Sequence, residues 1–220
     1  MDRAREVTRR LLDAYGPQGW WPAETPFEVI VGAILMSQTS WRNVARAIAD
    51  LRAAGLLDPH RLATAPEAVI RKHVRVAGLH RSKPKRLKAF CRHLVEACDG
   101  NLGAYFDRPL QEVRSDLLSQ PGVGPETADS ILLYAGRRAV FVVDAYTIRI
   151  GRRVGLFDTD DYDRVQRYFE DRLSRDADRY GEVHALLVAH AKARCRPRPR
   201  CPGCPLYSIC DSGRKTYPAG

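Results

Sequence analysis

A chain of 220 residues is long enough for one large or two small domains and needs no disulfide stapling to fold. Its 45% hydrophobic and 28% charged residues are those of a globular protein and exclude a disordered or fibrous one. Lys and Arg number 36 against 26 Asp and Glu, a formal charge of +10. Such a surplus attracts polyanions, so nucleic acid is the first partner to consider beside a plain solubility effect.

The opening Met1-Asp2-Arg3-Ala4-Arg5 has no apolar core of a signal peptide. The longest apolar run, Phe27 to Met36, is interrupted by Glu28 and falls short of the ~20 residues of a membrane span. The expectation is a cytoplasmic, nucleoid-associated protein that binds no membrane and acts as a monomer. Six cysteines in a reducing compartment then read as metal ligands or buried thiols rather than disulfides.

The periodicity predicts helices nearly throughout. Arg5 to Tyr15 places Val7, Leu11, Leu12 and Tyr15 on one face, and a break follows at Gly16-Pro17-Gln18-Gly19. Thr25-Pro26 opens a buried helix to Met36. The next begins after Ser37-Gln38-Thr39-Ser40, carries Val44, Ile48 and Leu51, and stops at Gly55. Further helices are expected at Pro66–Val74, Lys83–Cys98, Leu110–Ser119, Glu126–Ala135, Tyr146–Val154, Tyr162–Ser174 and Val183–Arg194. Ala139–Val143 reads as an extended buried segment without a pairing partner, so the fold class is all-α. The tail from Cys195 is expected to be irregular, and Cys91 and Cys98 to be core thiols.

Cys195-x5-Cys201-x2-Cys204-x5-Cys210 places four thiols in a Pro-stiffened loop that can wrap one metal centre. Zinc usually takes two close pairs of ligands. Here only Cys201 and Cys204 form a close pair, which favours a [4Fe–4S] cluster over zinc. The series Arg194, Arg196, Arg198 and Arg200 would offset its negative charge and could also face phosphate.

Pro121-Gly122-Val123-Gly124-Pro125 forms a tight hairpin ahead of a helix. The two glycines permit positive φ and let backbone N–H groups approach an anion, to which the helix N-terminus adds its positive end. The run therefore favours a DNA phosphate over an ordinary tight helix–helix turn. Asp144 directly follows buried Val142-Val143; it reads both as a helix N-cap and as a fixed carboxylate.

Gly122-Val123-Gly124 with Thr127-Ala128, then Val143-Asp144 eighteen residues after Glu126, then four C-terminal cysteines, resemble the helix-hairpin-helix–Gly/Pro–Asp superfamily, and endonuclease III within it. The similarity runs from Pro26-Phe27-Glu28 to Cys210. One departure is the first cysteine gap, five residues here where endonuclease III usually has six. The resemblance implies two α-helical domains flanking a DNA-binding cleft: a six-helix barrel with the hairpin over residues 26–138, and an iron–sulfur domain of residues 1–25 plus 139–220. It implies double-stranded DNA with a damaged base everted, Gln38 filling the vacated stack and Leu79 wedging between bases. Gly122, Val123, Gly124 and Thr127 would grip the strand, Asp144 would be catalytic, and Cys195, Cys201, Cys204 and Cys210 would ligate the cluster.

Bifunctional members carry a lysine just after the hairpin, whose amine forms a Schiff base. This chain has Glu126 there, so AP lyase activity is expected to be absent or weak, and the economical mechanism is hydrolysis assisted by Asp144. Trp20-Trp21-Pro22 and Trp41, with Glu126, resemble the base pocket of the 3-methyladenine DNA glycosylase III branch, although that branch uses another device in place of the cluster. Aromatic faces favour a cationic alkylpurine; the same tryptophans could simply staple the N-terminal helix to the barrel. The expectation is a monofunctional glycosylase acting on alkylated purines such as 3-methyladenine. Its rivals are an endonuclease III-like glycosylase and AP lyase acting on oxidised pyrimidines, and a catalytically impaired DNA protein that binds damage.

Overall fold

The computed structural model describes residues 2–216, and every regular element among them is helical. The chain divides into two compact units, one of Ala23–Arg138 and the other of the described parts of Met1–Pro22 and Ala139–Gly220.

The Ala23–Arg138 unit is built around α2 (Pro26–Leu35), in which every residue from Phe27 to Leu35 is buried. Thr25 caps α2 by accepting from Glu28 N at 3.2 Å, and Pro26 occupies the first turn, where its missing N–H is no loss. The Glu28 carboxylate is buried and paired with Arg52. Around α2 lie α3 (Trp41–Ala53), α4 (Pro59–Thr64), α5 (Glu67–Val74), α6 (Lys83–Cys98), α7 (Leu102–Asp107), α8 (Leu110–Ser119) and α9 (Pro125–Ser130). A π-helical turn, Ile131–Ala135, continues α9 and packs on α2. The periodicity leaves α4 and α7 undetected because each has only six residues. Their caps, Asp58 and Asn101, nonetheless accept from Arg61 N and Ala104 N. Cys91 is buried as expected; Cys98 is only half-buried, since it ends α6 where the chain turns out through left-handed Asp99 and Gly100.

The other unit is built around α12 (Ala177–Ala193), on which α1 (Arg3–Tyr15) and α10 (Ala145–Val154) pack. Helix α11 (Tyr162–Glu170) ends before the expected Ser174, and α12 starts six residues before the expected Val183 because Asp176 caps it by accepting from Arg179 N. Ala139–Val143 is extended, and Val140 to Val143 are buried. Buried backbone groups need partners, and here side chains on one face of α11 supply them. Glu170 accepts from Phe141 N at 2.9 Å, Gln166 donates to Phe141 O at 2.7 Å, and the Tyr162 hydroxyl accepts from Val143 N at 3.4 Å. Positions i, i+4 and i+8 of a helix thus stand in for a neighbouring strand. The Phe141 ring stacks on Phe169 at 4.3 Å. The cysteine tail is less irregular than expected: it carries a 3-10 turn, Tyr207–Ile209, and α13 (Asp211–Thr216).

Candidate functional site

In the Ala23–Arg138 unit the hairpin joins α8 to α9. Val123 N donates to Gln120 O at 3.1 Å, with Gly122 at φ 77°, the left-handed value that a turn with Pro121 ahead of it requires. The turn is set by a bidentate pair across it: Arg114 donates to both oxygens of fully buried Asp129, at 2.7 and 3.1 Å. A Cβ on Gly122 would fall 2.2 Å from Nε of Arg86, so a guanidinium lies against the turn. A Cβ on Gly124 would meet nothing within 4 Å, which leaves that backbone open to an anion. Val123 is buried and anchors the loop, Thr127 is half-buried, and Glu126 sits exposed in the first turn of α9.

Gln38 and Leu79 lie in the loops that lead into α3 and α6 of the same unit. Both hold left-handed backbone, with φ of 53° and 45°, and both are exposed. A non-glycine residue in that region is strained. Lys83, in the first turn of α6, is fully buried and donates from Nζ to Ser37 O and to Ala77 O, each at 2.7 Å. Burial, with help from Arg86, pushes its pKa down. Trp41 opens α3, half-buried.

In the other unit Asp144 caps α10. Its Oδ1 accepts from Thr147 N at 2.7 Å and from the Thr147 hydroxyl at 2.9 Å. Its Oδ2 lies 3.5 Å from Nε2 of His184, a buried residue on α12. Burial by itself would raise the Asp144 pKa; the hydrogen bonds from His184 and Thr147 outweigh it and hold the carboxyl below its usual range. The carboxylate is therefore ionised while only 11% exposed. Trp20 lies beside this pair, its ring 5.6 Å from that of His184 and 5.7 Å from that of Trp21, with the Lys192 ammonium 6.0 Å from its centroid. Pro22 is exposed. Trp20 thus stands beside the Asp144–His184 pair, and Trp21 beside Trp20, within one unit. Sequence reasoning overlooked His184, for which the available signal was a histidine inside the otherwise apolar run Val183–Val188.

Cys195, Cys201, Cys204 and Cys210 line one cavity of about 270 Å³. Arginines of α10 hold its rim: Arg149 donates to Cys195 O at 2.9 Å, and Arg153 donates to Arg196 O at 2.6 Å and to Pro197 O at 2.9 Å. Cys210 Sγ accepts from Gly213 N at 3.3 Å, and His190 Nε2 lies 3.8 Å from Cys204 Sγ. Burial pushes the Cys201 and Cys204 thiols up. Among the described residues no three His, Cys, Asp or Glu side chains are grouped as ligands of a single ion. Four thiols lining one cavity are the donor set that a thiolate-ligated iron–sulfur group takes. Of the arginine series, Arg194 and Arg196 donate to backbone carbonyls of Pro202 and Lys192.

The model of the HhH-GPD superfamily of base excision DNA repair proteins matches residues 31–175, a span that holds both the hairpin and Asp144. The chain belongs to that superfamily. A Methanocaldococcus jannaschii protein named provisionally as a DNA repair glycosylase is 45% identical over 94% of this chain and 95% of its own length. The solved structure of H. pylori 3-methyladenine DNA glycosylase, MagIII, bound to 1,N6-ethenoadenine is similar, with TM-score 0.75 and 26% identity, covering 86% of this chain and 97% of that one. A trapped endonuclease III–DNA covalent intermediate shares the fold, with TM-score 0.82 at 21% identity over 98% and 99% of the two chains. As a member of the HhH-GPD superfamily this chain is a DNA repair glycosylase by family, with an all-α fold like that of endonuclease III. No helix among its described residues is long and apolar enough to cross a membrane.

Proposed function

We propose that this chain hydrolyses the N-glycosidic bond of alkylated purines such as 3-methyladenine in double-stranded DNA and leaves the strand uncut. The observation that carries the reading is the state of Asp144: an ionised, sheltered carboxylate with one oxygen tied to Thr147 and the other toward His184. As the glycosidic bond breaks, the sugar gains oxocarbenium character. A fixed carboxylate stabilises that charge and orients an attacking water.

Glu126 cannot form a Schiff base, and Lys83 is committed to two carbonyls. Both facts support hydrolysis over lyase chemistry. The paired rings of Trp20 and Trp21 support an electron-poor purine, for which stacking and cation–π attraction contribute about 0.5–2 kcal/mol per contact. Trp41 and Pro22 are assigned to the base by resemblance alone, and MagIII, which carries 1,N6-ethenoadenine in its solved structure, is a relative of similar length. Gly122, Val123, Gly124 and Thr127 are assigned to a phosphate, and Gln38 and Leu79 to the gap left by the everted base. The four cysteines would hold a [4Fe–4S] cluster. Bound there, it would cross-link the loop from Cys195 to Cys210 and take no part in hydrolysis.

The test is a pair of duplexes, one with 3-methyladenine and one with thymine glycol, read for base release with and without alkali. Strand breaks that need alkali, on the methylated duplex, support the proposal. Direct nicking of the glycol duplex points instead to an endonuclease III-like lyase, and binding without base release to an inactive damage-binding protein.

A further inference from the structure

Lys83 is the one fully buried lysine among the described residues, and no carboxylate pairs with it there. Burying an ammonium is costly, and a methionine of similar length would fill the space without that cost. What the amine does is bind two backbone carbonyls from segments far apart in the chain. Ser37 lies 46 residues before it and Ala77 six. Ser37 immediately precedes Gln38, and Ala77 precedes Gly78-Leu79.

Each loop presents an exposed side chain on left-handed backbone just beyond the bonded carbonyl. Leu79 is 39% exposed, one of two large apolar side chains so displayed among the described residues. Its carbonyl in turn accepts from Ser82 N at 3.0 Å and Lys83 N at 3.1 Å, which bolts the loop to the start of α6. Strained backbone beneath an exposed side chain persists only where the surroundings hold it. Here the holder is shared: one ammonium group sets the position of both loops.

We propose that Lys83 is a positioning residue that straps the Gln38 and Leu79 loops into a single intruding element, so that the two side chains enter a distorted duplex together. The proposal rests on the assignment of Gln38 and Leu79 to the everted-base gap made above. It predicts energetic coupling between two side chains through a residue that touches no DNA.

The test is a double-mutant cycle in the full-length protein, read as affinity for a duplex carrying a tetrahydrofuran abasic-site analogue, with an undamaged duplex as control. Gln38→Ala and Leu79→Ala are each expected to weaken analogue binding by about tenfold, and together by far less than the product. In Lys83→Met the coupling is expected to vanish, so that the penalties multiply, while affinity for undamaged duplex stays within about twofold. Lys83→Gln, which keeps a donor and perturbs folding less, is expected to show partial coupling; helix content by circular dichroism certifies both variants. Independent penalties in the unaltered chain, or full coupling in either folded variant, overturn the proposal. So does indifference of analogue binding to both alanine variants. A failure of the glycosylase reading would appear instead as absent base release, which this binding cycle does not use.

Discussion

Thr147 donates twice to one oxygen of Asp144, through its backbone N–H at 2.7 Å and its hydroxyl at 2.9 Å, and so leaves the second oxygen to His184. An N-cap and a catalytic acid have the same needs here, since both require a carboxylate fixed in direction and kept ionised. Asp144→Asn keeps the cap and loses the charge. Base release from the alkylated duplex is expected to fall by about a hundredfold or more, with DNA affinity kept. Single-turnover base release beside a binding titration checks this; near-normal turnover would remove Asp144 from the mechanism.

The pH dependence follows from the same contacts. The native Asp144 pKa lies below the ordinary carboxylate value, about 3.9. The active ionised form is therefore present above that value and lost only as pH falls through the depressed one. The folding stability conferred by the depression disappears over the same low-pH window. His184→Leu leaves burial less opposed, so the acid limb of the rate is expected to move upward, whereas His184→Gln keeps an N–H and restores part of the original profile. Rates corrected for release without enzyme give the comparison; identical limbs in all three proteins would show that His184 does not act on Asp144.

Glu126 makes a different prediction. Incubated with abasic DNA and borohydride, the protein is expected to leave no covalent adduct, because the carboxylate of Glu126, in the first turn after the hairpin, cannot form a Schiff base. A trapped adduct of the unaltered chain would refute monofunctional chemistry.

The cysteine cavity makes a spectroscopic one. Purified protein is expected to be brown, to absorb near ~400 nm and to carry about four irons per chain. Cys204→Ser should lower iron content and melting temperature together, since the loop from Cys195 to Cys210 would lose its cross-link. A colourless protein containing zinc would contradict the cluster.

Gln166 tests the route by which the chain reaches Asp144. Its donation to Phe141 O satisfies a buried carbonyl, so Gln166→Leu is expected to cost about 1–3 kcal/mol. Exposed Arg164, on the same helix, should tolerate alanine within about 0.5 kcal/mol. Thermal melts of the two variants give the contrast, and equal losses would mean that the α11 side chains do not support the extended segment.

Much of this molecule is legible without coordinates, for local reasons. Pro121-Gly122-Val123-Gly124 announces its turn because positive φ and a stiff first corner are properties of a few adjacent residues. Asp144 announces a cap for the same kind of reason, and the Cys195–Cys210 spacing one loop that gathers four thiols at a cavity. Helices α2, α3 and α6 show in their periodicity, whereas six-residue α4 and α7 do not, being too short for a 3.6-residue period to repeat. Helix α12 is buried on nearly every face, so its start could not be read from an apolar stripe.

What the amino-acid order determined by itself is therefore the inventory: all-helical segments, a hairpin, a capped acid, four spaced thiols and a glutamate in the first helical turn after the hairpin. The tertiary structure decided the partnerships. His184 meets Asp144 across 40 residues of chain, Lys83 reaches Ser37 across 46, and Gln166 satisfies Phe141 across 25. Local propensity is a matter of neighbouring dihedrals, but a hydrogen bond between distant residues exists only once packing has brought both ends together and excluded water from between them.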